Sequence, residues 1–171
     1  MKILVTGCAG FIGFHTALKL LSLNNSIIGI DNINSYYDVN LKKQRLKILK
    51  KNNKFIFYKS DITNLKKINT IIKINKIKYI IHLAAQAGVR HSISHPEEYF
   101  DSNLRGFFNI LEASRFNKIK HLVFASTSSV YGENKSFPLK ESFNTDKPIS
   151  FYAATKKSNE IMAYSYSYIY S

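Results

Sequence analysis

The stretch Lys2-Ile3-Leu4-Val5-Thr6-Gly7-Cys8-Ala9-Gly10-Phe11-Ile12-Gly13 decides the fold. Residues 2–6 are a short apolar run that stops at glycine, the pattern of a strand buried on both faces. FIGFHTALKLLSL follows with apolar residues at 11, 12, 14, 17, 18, 20 and 21, a helical spacing that Asn24 and Asn25 end. Without a Cβ, Gly7 can make a tight turn, Gly10 lets the backbone approach a pyrophosphate, and Gly13 lets helix pack close to strand. Helix N–H groups then face the phosphates. The spacing is G-x-x-G-x-x-G, not the dehydrogenase form G-x-G-x-x-G. Asp31 closes a second strand 18 residues after Gly13. An acid there can hold both ribose hydroxyls of NAD and would repel the 2′-phosphate of NADP. An ordinary turn and a loop acid are the alternative, but the strand–turn–helix setting favours a dinucleotide.

Outward from this stretch the chain alternates strand and helix. SIIGID is the second strand, NLKKQRLKILKK a basic amphipathic helix and FIFY at 55–58 a third strand. Residues 63–74 read as a helix with Thr63 as N-cap, and YIIHLA at 79–84 as a fourth strand. Pro96 opens a longer helix reaching about Phe116, HLVFAS at 121–126 is a fifth strand, and a helix starts near Phe151 after a loop holding Pro138 and Pro148. Such alternation predicts an α/β fold, a Rossmann-like doubly wound parallel sheet. Ligands of these sheets bind beyond the carboxyl ends of the strands, where every motif here falls. Asp61-Ile62 ends the third strand and Leu83-Ala84-Ala85 the fourth; small residues there leave room for a flat cofactor, or mark ordinary loops.

The length of 171 residues suits one domain, 1–171, with a real core. The net charge of +14 comes from 21 Lys against 4 Arg, with 22 Ile and 16 Asn inflated alongside, a compositional bias rather than a set of phosphate-reading Arg forks. Nucleic acid is therefore not expected as a partner. Nor is a membrane, because no stretch approaches the ~20 apolar residues of a span. The lone Cys8 and a strand-like N-terminus point to a reducing compartment, the cytoplasm.

SFYAATKKSNE at 150–160 carries the chemistry. Tyr-x-x-x-Lys is a cheap spacing, expected roughly 1.4 times by chance with 11 Tyr and 21 Lys. Tyr131 and Lys135 match it too, but across poor helix formers. Tyr152 and Lys156 sit in a helix, on one face. An ammonium beside a phenol favours phenolate, which can take a proton from a substrate hydroxyl. The hydroxyl run Ser126-Thr127-Ser128-Ser129, at the end of the fifth strand, can donate to the same oxygen or be a polar loop.

Together TGCAGFIG, Asp31, HLAAQAGVR, STSSVYG and YAATK resemble the extended short-chain dehydrogenase/reductase superfamily, in its motif order and over essentially the whole chain. IDNINSYYDVNLKKQRL and HLAAQAGVRHSISHP resemble, more specifically, bacterial UDP-glucuronate 4-epimerases of the NAD-dependent epimerase/dehydratase family. The resemblance implies a Rossmann fold holding NAD, a smaller C-terminal substrate domain, a UDP-sugar substrate and often a homodimer. It places the catalytic hydroxyl on Thr127, the base on Tyr152 and its partner on Lys156, which also holds the nicotinamide ribose. It puts Gly7, Gly10, Phe11, Ile12, Gly13, Asp31, Asn32, Asp61, Ile62, Leu83, Ala84 and Ala85 against NAD, with Asn103, Ser126 and Ser128 lining the site. Related dehydratases carry acids just before V-Y-G. Ser128-Ser129 stand there instead, so reversible oxidation at C4 with inversion is favoured over elimination. Arg90 either faces an acidic substrate or is an exposed loop residue.

Family members run about twice as long. The chain is therefore expected to be the cofactor half, truncated before the substrate domain and active only with the missing sequence or a complementing C-terminal fragment. The fifth strand should then leave an open, association-prone edge. Cys8, where Ala is usual, is expected beside phosphates at a helix start, a setting that favours thiolate. His91 and His95 form H-x-x-x-H with Ser92 rather than Glu between them and Pro96 alongside, so no metal is expected.

Overall fold

A computed structural model describes residues 1–170; Ser171, where the expected domain 1–171 ends, lies outside the described residues. The chain divides into two units, Met1–Ala84 with Glu112–Phe124 and Ala85–Leu111 with Ala125 onward.

The first unit is a five-stranded parallel sheet: β1 (Lys2–Thr6), β2 (Ser26–Asp31), β3 (Phe55–Lys59), β4 (Tyr79–His82) and β5 (His121–Phe124), in the order β3-β2-β1-β4-β5. It is flanked by α1 (Phe11–Ser22), α2 (Val39–Leu49) and α3 (Leu65–Asn75). β1 is central because it is apolar on both faces: Ile3, Leu4 and Val5 are all buried. It runs from Lys2 opposite Ser26 to Thr6 opposite Ile30 on one side, and pairs Ile3 with Tyr79 on the other. The chain winds outward from β1 to β3, then crosses back to β4. This reversal opens the crevice where such sheets bind ligands, at the carboxyl ends of β1 and β4. α1 buries Phe14, Ala17 and Leu21, a stripe at helical spacing, against a core that includes Ile27, Leu46, Leu49 and Phe55. Removed from water, large side chains such as Phe14 and Leu21 contribute roughly 1.5–3 kcal/mol each, and Ala17 less. β5 stands at the edge, as the sequence implied, with Val123 exposed.

Four boundaries differ from expectation. α3 is capped by Asn64, whose side chain accepts the Lys67 N–H at 3.0 Å. Thr63 is committed elsewhere: its N–H and hydroxyl both reach Asp61 Oδ1, at 2.8 Å each. β4 and β5 stop two residues early, because residues 83–84 and 125–126 leave the sheet to form loops. α2 starts at Val39, where Asp38 caps it through the Asn40 N–H at 2.7 Å.

The fourth difference is that no single helix spans 96–116. Two short turns, α4 (His91–Ser94) and α5 (Pro96–Tyr99), lead into a π-helical segment, Phe100–Arg105, before α6 (Gly106–Phe116). A short 3₁₀ turn covers Ser128–Tyr131, and α7 runs Phe151–Tyr170. Among the described residues no helix is long and apolar enough to cross a membrane.

Candidate active site

In the first unit the glycine turn is built for close approach. Gly7 has φ +69°, which L side chains rarely adopt, and a Cβ on it would stand 2.8 Å from the Ala84 N. The turn is tied to β2 by the Gly7 N–H to Ile30 O at 2.7 Å. Thr6 ties it to β4: its hydroxyl oxygen accepts the N–H groups of Leu83 and Ala84, both at 3.1 Å. With its lone pairs so used, the hydroxyl donates to His82 Nδ1 at 2.8 Å, which puts the imidazole proton on Nε2. Phe11, Ile12 and Gly13 form the first helical turn, where N–H groups have no acceptor within the helix. Gly10, the N-cap, offers no side chain to cover them, and Phe11 and Ile12 are exposed at 66% and 61%.

Asp31 ends β2 and is buried. Its Oδ2 accepts the Ala9 N–H at 3.0 Å and its Oδ1 the Ile33 N–H at 2.9 Å, so each oxygen keeps a further lone pair. Asn32 donates to Asp61 Oδ2 at 2.8 Å. Burial alone would raise the Asp61 carboxyl, but bonds from Thr63 and Asn32 outweigh it and hold the group below its ordinary value. Ile62 is buried behind this turn. Tyr37 and Arg45, which the sequence reading did not single out, fold the 32–38 loop back: both donate to Ala9 O at 3.3 Å. Free helix N–H groups beside a glycine turn, with a carboxylate at the next strand end, are the donors and acceptors that a pyrophosphate and a ribose diol need. These residues fit a dinucleotide.

In the second unit Tyr152 and Lys156 share one face of α7, whereas Tyr131 ends a 3₁₀ turn and Lys135 lies beyond it in a loop. Asn103, in the π-helical segment, holds α7 in place. Its Nδ2 reaches Thr155 Oγ1 at 3.1 Å, and its main-chain oxygen accepts Asn159 Nδ2 at 2.7 Å. It also brackets the Gln86 backbone, accepting the N–H at 2.8 Å and donating to the carbonyl at 3.0 Å. Asn103 is thus engaged inside the protein and acts as scaffold. Tyr152 is half-buried; its N–H donates to Ser92 Oγ at 3.2 Å, and its ring meets that of Tyr99 edge-on at 6.1 Å. Thr127 Oγ1 accepts the Ser129 N–H at 3.2 Å, which leaves its own O–H to donate. Ser126 bonds Glu160, which also pairs with Lys157 at 3.2 Å. Ser128, Ala85 and Arg90 are exposed, Arg90 at the start of α4.

Lys156 is only 3% exposed. Burial pushes its ammonium down from 10.5 to about 8, against a partial upward pull from Glu160. Between pH 8 and 10.5 the unfolded chain binds a proton that the folded chain does not, so stability rises with pH across that window. Below pH 8 the burial cost is present in full. Lys156→Met is therefore expected to stabilise the fold at pH 7 by up to about 3 kcal/mol. The gain should shrink to nothing by pH 10.5, and urea melts at pH 7, 9 and 10.5 read it. A gain that does not change with pH would mean better packing rather than a relieved charge.

One sequence expectation is overturned. Cys8 is not a thiolate facing phosphates: it is fully buried, and burial together with the nearby Asp31 charge pushes its thiol far up. The turn directs its sulfur into the core.

The family model described as GDP-mannose 4,6 dehydratase matches residues 4–171. Protein CapI of Staphylococcus aureus is 52% identical over 171 residues, 100% of this chain and 51% of that protein. UDP-glucuronate 4-epimerase of Thermodesulfobacterium geofontis is 47% identical over 167 residues, 98% of this chain and 51% of that enzyme. The crystal structure of UDP-glucuronic acid 4-epimerase from Bacillus cereus, in complex with UDP-glucuronic acid and NAD, matches with a TM-score of 0.90 at 35% identity, over 99% of this chain and 53% of the other. The chain spans about half the length of the curated relatives it matches.

Proposed function

The chain belongs to the GDP-mannose 4,6 dehydratase family of NAD-dependent epimerases and dehydratases, and from that premise we propose that it carries the cofactor-binding and proton-transfer residues of a UDP-glucuronate 4-epimerase. The observation that carries the reading is the pairing of Tyr152 with the buried Lys156 on one face of α7. Gly7, Gly10, Phe11, Ile12 and Gly13 would cradle the pyrophosphate of NAD, and Asp31 its adenosine ribose. Bound NAD would supply the hydride acceptor and donor at sugar C4, with no net redox change.

The chain's own groups handle the proton. Tyr152 takes it from the 4-hydroxyl as the 4-keto sugar forms, and returns it when C4 is reduced from the opposite face. Lys156, buried on the same face of α7, would hold the nicotinamide ribose beside Tyr152. The Thr127 hydroxyl donates to the same sugar oxygen and fixes its position. Epimerisation is preferred to dehydration because residues 128 and 129 are serines, so neither can act as acid or base at C5 and C6. UDP-glucuronate is preferred to other sugars because it is the substrate named for a close relative and bound in the matching B. cereus structure.

The test has two arms. Incubation of the chain together with a complementing C-terminal fragment, NAD⁺ and UDP-glucuronate, followed by proton NMR of the sugar, should show UDP-galacturonate forming without accumulation of NADH. Saturating NAD⁺, at a hundred times Kd, should add about 2.7 kcal/mol of stability, a rise in Tm of roughly 5–11 °C that NADP⁺ does not give. Cofactor binding without conversion would leave a dinucleotide-binding protein and remove the epimerase reading. A melt indifferent to NAD⁺, in protein shown by extraction to hold none, would remove both.

A further inference from the structure

We propose that His91, His95 and Glu98 form a binding site for a divalent transition metal of the zinc class. This site is separate from the proton-transfer residues and does not depend on their reading. Each residue offers one ligand atom, and the three atoms lie within 4.8 Å of one another. Sequence pattern argued against a site here, because Ser92 rather than Glu follows His91 and a proline breaks the helix. The structure supplies what the pattern hid. The His95 N–H bonds His91 O at 3.0 Å, closing the turn that spaces the two imidazoles. Pro96 then opens α5 as its first residue, and the new turn brings Glu98 back to His91, with Oε2 3.0 Å from Nε2. The two imidazole rings are stacked, with centroids 4.1 Å apart and planes 12° from parallel. Ser94 Oγ stands 2.8 Å from His95 Nδ1 and orients that ring.

Two imidazole nitrogens and a carboxylate oxygen are the borderline-soft set that Zn²⁺ takes in three-ligand sites, with water in the fourth position. Bonds of about 2.0–2.1 Å in a tetrahedron need ligand atoms roughly 3.4 Å apart. The His91–Glu98 pair is already that close, and the remaining closure needs only rotation of His95 and Glu98, both exposed. The metal would take the place of the hydrogen now between His91 and Glu98. It would tie α4 to α5, and these two turns carry Ser92 and Tyr99, which hold the backbone and the ring of Tyr152.

Competition of the untagged full chain against a chromophoric chelator reads Zn²⁺ affinity, and visible absorption of the Co²⁺-loaded chain reads geometry. The expected result is one equivalent of Zn²⁺ bound with Kd of about 1 μM or tighter, and an intense four-coordinate Co²⁺ spectrum. His95→Ala and Glu98→Gln should each weaken binding by at least about tenfold, while His15→Ala, at a distant histidine, should not. Exposed His95 and Glu98 can be changed without disturbing the core, and the Co²⁺ spectrum needs no variant. Wild-type affinity no tighter than that of a His91→Ala/His95→Ala double variant would overturn the proposal. So would a weak, six-coordinate Co²⁺ spectrum.

Discussion

On the proposed epimerase reading, Tyr152→Phe will lower UDP-glucuronate turnover, assayed with the complementing C-terminal fragment, by about a thousandfold, within the 10²–10⁴ that a positioned acid–base group supplies. The substitution removes one oxygen and little else. The backbone N–H to Ser92 Oγ and the edge-on contact with Tyr99 both survive it. Stability should stay within about 0.5–1 kcal/mol of wild type, and the NAD⁺-induced rise in Tm should be unchanged. The loss should fall on kcat rather than KM, because the proton moves only in the transition state. Retention of a tenth or more of the wild-type kcat would remove Tyr152 from the role of base. An equal loss from Thr127→Val, with Tyr152→Phe nearly silent, would move that role to the hydroxyl loop.

Gly13→Ala will cost at least about 3 kcal/mol of folding stability. A Cβ at this position would stand 2.1 Å from Gly7 O, 2.7 Å from Gly7 C and 3.0 Å from Cys8 Cα. All three are backbone atoms, so no side chain can swing aside. Gly7 cannot retreat either, being held by Ile30 O on one side and crowded by Ala84 N on the other. The added methyl must push α1 away from β1, and Phe14, Ala17 and Leu21 lose their packing with it. At roughly 2–4 °C per kcal/mol the expected fall in Tm is about 6–12 °C. A fall under 2 °C would show that the helix can shift without cost, and that the close approach of Gly13 is incidental.

The parts of the molecule legible in sequence were those written in local periodicity. Five apolar runs became five strands, and Asp31 stands at the end of β2 as its position implied. Tyr152 and Lys156 could be preferred to Tyr131 and Lys135 because the intervening residue types differ in helix propensity. What stayed hidden depends on contacts remote in sequence or on a single turn's width. Pattern alone read 96–116 as one helix; it could not show that the turn at 100–105 widens to seat Asn103 between Gln86 and Thr155. Nor could it show that the hydroxyl of Thr6 would reach residues 82, 83 and 84. Cys8 was misread for a related reason. Its place at a helix start suggested exposure to anions, but which way a turn points its side chains is set by the sheet beneath.

The central position of β1 has a consequence for synthesis on the ribosome. β1 emerges first and can pair with β2 once residue 31 is out, but its other edge waits for β4, which ends at His82. The gap is 51 residues (82 minus 31), about 3–10 s at roughly 5–20 residues per second. Throughout it, one side of the central strand, with Ile3, Leu4 and Val5 all destined for the core, has no partner. A translational pause between β2 and β4 prolongs that interval, so slow codons there should lower the soluble yield more than slow codons placed after β5.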